Sequence, residues 1–125
     1  MLTEHQIKIA KASTAYSLSD VHHEHDDCIR IAYQWLDAQL RTVRPGRKSR
    51  ALKHIIERWA GRYVSTSDVE VAAHLLGLQG EYPDYNISAR MTVPHDRRLE
   101  GIGEVLAHPD YRTRFREDEY ARHEA

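Results

Sequence analysis

Apolar positions recur at helical spacing through most of this chain, and short polar breaks divide the pattern into discrete segments. Thr3 with Gln6 has the spacing of a capping box, which predicts a helix over about 3–15. Ser17 with Asp20, or Ser19 itself, is placed to cap a longer helix reaching about 41. Its apolar stripe would comprise Val21, Cys28, Ala32, Trp35 and Leu36, widened by Ile29, Tyr33 and Leu40. Pro45-Gly46 stops it, because proline removes a donor and glycine tolerates positive φ. The clearest pattern follows over about 48–60, where Leu52, Ile55, Ile56, Trp59 and Ala60 share one face. Gly61 suits the left-handed position after that helix, and Tyr63-Val64 is a short β-favouring stretch.

Ser67 with Glu70 gives a second capping-box spacing and predicts a helix to about 76, with Val69, Ala72, Ala73 and Leu76 buried. Pro83 or Asp84 opens an expected short helix through Met91. Thr92-Val93 and Arg97-Arg98-Leu99 read as two extended pieces around a turn at 94–96. Leu99, Ile102, Val105 and Leu106 fit one more helical face, weakened by Gly101 and Gly103 and closed by Pro109. The charged tail from 111 reads as a surface helix or a partly disordered segment. The expected fold is mainly α, a compact helical domain, in three segments: helical 1–44, winged-helix-like 45–110 and charged 111–125.

Composition narrows the class. At 125 residues, with 41% hydrophobic and 30% charged side chains, the chain has the size of one domain. No apolar run approaches the ~20 residues of a membrane helix. Met1 to Ala10 carries Glu4, His5 and Lys8 and no apolar stretch of the signal-peptide kind, so a cytoplasmic location without membrane contact is expected. Cys28 is the single cysteine, which leaves no intrachain disulfide.

The net charge of −1 conceals a strong asymmetry. Residues 1–40 carry −3, residues 41–63 carry +7 and residues 64–125 carry −5. A basic block of this kind favours a polyanion or an acidic protein face, or else is a solvated face balanced by its flanks. The order helix, short strand, helix, turn, short helix and basic hairpin over 48–106 resembles that of a winged helix-turn-helix domain. That resemblance implies a base-reading helix with Tyr85, Asn86, Ser88 and Arg90, and a wing carrying Arg97 and Arg98. Phosphate anchoring falls to Arg44, Arg47, Lys48, Arg50 and Lys53. Against it, the turn from Gly77 to Asp84 is long and the 64–91 segment is acidic.

In His22-His23-Glu24-His25-Asp26-Asp27-Cys28, a helix would project His22, His25 and Asp26 together, a possible zinc or nickel site; the same residues also make an ordinary polar helix start. No P-loop, GxGxxG or GxSxG motif is present, so neither a cofactor nor catalysis is expected. Trp35, Trp59, Tyr33 and Tyr63 suit core packing or an interface, and the modest core suggests a homodimer through the 20–41 helix. The expected function is a small regulator or accessory protein binding double-stranded DNA. The rival is a protein-binding adaptor or inhibitor of the compact charged kind that phages and other mobile elements encode, set against an acidic partner surface.

Overall fold

A computed structural model describes residues 1–47 and 51–125; the anchoring residues Lys48 and Arg50 lie outside the described residues. The chain is mainly helical. Helix α1 (Glu4–Ser13) begins with the expected capping box, Thr3 Oγ1 accepting from the Gln6 amide at 3.1 Å and Gln6 Oε1 accepting from the Thr3 amide at 2.8 Å. Helix α3 (Leu52–Ala60) buries Leu52, Ile55, Ile56, Trp59 and Ala60, the five positions its periodicity assigns inward. Gly61 ends it at φ 67°, and a Cβ there would stand 2.7 Å from the Leu106 side chain.

Helix α2 (Asp26–Asp37) starts about six residues later than its apolar stripe suggests. The cause lies in α4 (Thr66–Leu75), whose first turn captures the preceding backbone. Glu70 accepts from the Ser17 amide at 2.8 Å, Ser67 Oγ from the His22 amide at 3.2 Å, and Asp68 from the Glu24 amide at 3.3 Å. With those donors satisfied from outside, 17–25 stays extended or bent, and His25 becomes the cap of α2 by accepting from the Asp27 amide. Ser67 and one carboxylate oxygen of Glu70 are therefore engaged in tertiary contacts. The capping box of α4 is made by Ser65 and Asp68 instead, at 3.0 and 3.1 Å.

The expected helix over 83–91 is absent. Gly80–Glu81 (β1) and Asp84–Tyr85 (β2) form an antiparallel hairpin around a cis Tyr82–Pro83 peptide. Residues 40–42 then run antiparallel to 86–88 through an Arg41–Ile87 bridge. Tyr85 and Ile87 are both buried, the alternate-residue spacing of extended chain. Gly80 is at φ 103°, where a Cβ would lie 2.4 Å from the Asp84 carbonyl oxygen. Without a helix at 83–91 there is no recognition helix, and the described strands at 92–99 form no wing. Thr92–Val93 (β3) pairs in parallel with Arg122–His123 (β4), and Asp96–Leu99 is a 3-10 helix.

The 99–106 helix is replaced by turns, with Gly101 at φ 79° and Leu106 at φ 63°. Pro109 opens the short helix α5 (Pro109–Arg112) where it was expected to close one. The tail is folded back onto the protein: Trp35 Nε1 donates to the Tyr120 hydroxyl at 3.1 Å, and the Glu124 amide to the Val93 carbonyl at 2.9 Å. One hydrophobic cluster runs from Ile7 to Ile102, with Phe115 and Tyr120 packed against it, so it spans all three segments. Of the stripe assigned to a homodimer, Cys28, Ile29, Ala32, Trp35 and Leu36 are consumed in this core, Tyr33 packs partly buried against it, and Val21 and Leu40 stay exposed outside α2. No helix among the described residues is long and apolar enough to cross a membrane.

Candidate nucleic-acid interface

The basic block divides into side chains that are spent and side chains that are presented. Lys53 is spent: its ammonium lies 3.5 Å from Glu57, which is buried, and 4.6 Å from the centre of the Tyr63 ring. Arg98 is spent as well. It donates to Glu124 at 2.6 and 2.7 Å, to Asp37 at 3.0 Å and to Gln34 at 2.9 Å. The guanidinium holds the Glu124 carboxyl well below its ordinary range, at about 2, and its own proton is held correspondingly tightly.

Arg44 and Arg47 are presented. Both are exposed, and neither makes an ion pair among the described residues. Their loop, 41–47, is pinned. The Thr42 amide donates to the Asn86 carbonyl, the Ser88 amide to the Leu40 carbonyl at 2.7 Å, Arg41 Nη2 to the Leu76 carbonyl at 2.9 Å, and Thr42 Oγ1 to the Arg44 carbonyl at 2.7 Å. Pro45 packs beside Gly80 of β1.

Of the residues expected to read bases, Tyr85 is 4% and Asn86 8% exposed. Asn86 Oδ1 accepts from the Gln79 amide at 2.7 Å, and Nδ2 donates to the Thr42 carbonyl at 3.3 Å. Asn86 thus holds the base of the 41–47 loop through Thr42, and Tyr85 is turned inward, away from any base-reading surface. Ser88 is half-buried and its hydroxyl accepts from the Arg90 amide; Arg90 is exposed, two residues from the pairing with Leu40. Arg97 is exposed and lies apart from this group, its guanidinium reaching the Ala125 carbonyl at 3.3 Å.

Periodicity does not reveal a groove of 730 Å³ between α3 and the tail, lined by His54, Arg58, Arg114 and Arg116 with Asp118 and Glu119. Arg58 lies 3.3 Å from Glu119, and Arg116 pairs with Asp118 at 2.9 Å in an exposed contact that contributes little. Ala51 also lines the groove and follows Arg47 by four positions, a reach of at most ~14 Å. The alternation of Arg114 and Arg116 in the charged tail is the one sequence signal of this groove.

The His22–Cys28 cluster is dispersed. His23 uses both ring nitrogens, on the buried Asp68 at 2.9 Å and the Tyr16 hydroxyl at 3.0 Å. His25 caps α2, and Asp27 accepts from Arg30 and from the Glu104 amide. Burial, with the charge of Asp68 added, pushes the Cys28 thiol up to about 12. No group of three potential ligands among the described residues is disposed to hold a metal ion. No protein-family model, curated protein or solved structure matches the chain.

Proposed function

We propose that this chain is a non-catalytic binding protein that grips the phosphate backbone of double-stranded DNA through the 41–47 loop, in a regulatory or accessory role. The observation that supports this reading is the pair Arg44 and Arg47, exposed and unpaired among the described residues, on a loop whose base at 40–42 is tied by hydrogen bonds to 76, 86 and 88 and whose Pro45 packs beside Gly80. A pinned loop loses little conformational freedom when it docks, and guanidinium forks suit phosphate oxygens. Arg90 sits beside the loop and extends its charge. Binding of this kind is insensitive to base sequence, since phosphate contacts position a protein without reading bases.

Salt-titrated fluorescence anisotropy on a labelled duplex is the test. Each phosphate contact contributes about 0.9 to the log–log salt slope, so the double variant Arg44→Gln, Arg47→Gln should flatten that slope by about 1.8. An unchanged slope removes the loop from the interface.

A second reading draws on Val43, 90% exposed between Arg41 and Arg44, and on Leu40, 53% exposed and just before Arg41. Apolar side chains beside cations suit an acidic protein face with a hydrophobic pocket, as an adaptor or inhibitor would use. Duplex DNA that fails to bind at low salt transfers the assignment to this reading.

A further inference from the structure

Between the end of α1, helix α4 and the β1–β2 hairpin lies a cavity of 340 Å³, within the size range of small-molecule sites. Glu70 reaches it from α4 and is only 5% exposed. One carboxylate oxygen, Oε2, accepts from the Ser17 amide; the other, Oε1, is buried with no hydrogen-bond partner. No lysine, arginine or histidine forms an ion pair with Glu70 among the described residues. A buried carboxylate with an unanswered oxygen costs free energy that a cationic or donor ligand would recover.

The remaining wall is mixed, with three tyrosine rings set among small and aliphatic residues and with His74, one helical turn after Glu70, also on the lining. Tyr16, Tyr82 and Tyr85 line the cavity, the last two packed edge to face at 6.4 Å between ring centres. The Tyr16 hydroxyl is engaged with the Lys11 carbonyl and with His23, and the Tyr82 hydroxyl accepts from the Lys53 amide. What these two offer the cavity is therefore ring surface. Burial first, with the charge of Glu70 contributing, raises all three phenols above their ordinary range and keeps them neutral. Glu81 stands exposed at the rim.

One fixed negative charge facing several ring surfaces is the chemistry that recognises an organic ammonium ion. A hard divalent metal would require several more oxygen ligands. We propose that this cavity binds a small organic ammonium compound, Glu70 Oε1 meeting the charged nitrogen and Tyr16, Tyr82 and Tyr85 enclosing its alkyl groups. The site is separate from the arginines of the 41–47 loop and does not depend on the nucleic-acid reading.

The test titrates the whole chain with choline, with n-butylamine, and with the uncharged choline analogue 3,3-dimethylbutan-1-ol, following amide chemical shifts of Ser17 and Glu81 by NMR. Saturable shifts at these amides with either ammonium compound, and binding at least about tenfold weaker with the uncharged analogue, are expected. Preference for choline over n-butylamine, or the reverse, identifies the substitution on nitrogen that the site takes. Glu70→Gln should weaken ammonium binding by about tenfold or more while the spectrum stays dispersed. The proposal is overturned by no shift with either amine, by equal binding of the uncharged analogue, or by undiminished binding to a folded Glu70→Gln protein. If that variant does not fold, the charged and uncharged probes on the unaltered chain still decide.

Discussion

Glu124 illustrates how much a single side chain near the end of the described chain does. Its carboxylate receives two bonds from Arg98 and one from the His95 amide, and so holds the tail against the 3-10 helix at 96–99. Its acidity in the fold, at about 2, is depressed from an ordinary 4.5, so its stabilising contribution is complete above about 4.5 and is lost as pH falls toward 2. Glu124→Gln should cost about 2 kcal/mol at neutral pH in chemical denaturation. The gap between variant and parent should narrow steadily as denaturation is repeated at lower pH; a gap that stays constant into acid would show that the charge of Glu124 is not what stabilises the tail. At this scale the sequence was partly legible. The inward residues of α3 follow from their spacing, whereas the fates of Lys53 and Arg98 depend on carboxylates of Glu57 and Glu124, the latter far along the chain.

Elements were legible where one local pattern had no competitor. Helix α3 has five apolar positions on one face and a glycine at its end. The start of α4 is different, because Ser65/Asp68 and Ser67/Glu70 have the same spacing, and only tertiary partners distinguish them. Ser65 caps the helix and also donates its hydroxyl to the His22 carbonyl at 2.6 Å, while Ser67 and Glu70 hold the irregular 17–22 segment. Ser65→Ala should therefore cost about 1–2 kcal/mol in thermal or chemical unfolding, the upper part of the capping range, and Ser67→Ala less. Equal losses for the two would return the cap to Ser67. The 83–91 segment was misread for a related reason. Its polar residues are all capable of base contacts, yet Tyr85 and Ile87 go inward at alternate positions, and Asn86 answers backbone groups on two neighbouring segments.

For the molecule as a whole, the arginine loop was visible as a charge block, but the cavity beside it was not. Glu70 reads locally as a capping residue, and Tyr16, Tyr82 and Tyr85 meet only because the hairpin folds over α4. The same closure governs association. With the α2 stripe consumed internally, sedimentation velocity at micromolar concentration should give a monomer, and a stable dimer there would require a face other than α2. The parallel β3–β4 pair also orders events in time. At ~5–20 residues per second, ribosomal synthesis makes β4 roughly 1.5–6 s after β3. During that interval the nascent chain carries an unpaired strand edge at Thr92–Val93 and a Trp35 lacking its Tyr120 partner. A translational pause between the two strands would lengthen the period in which this protein is most open to chaperones and to aggregation.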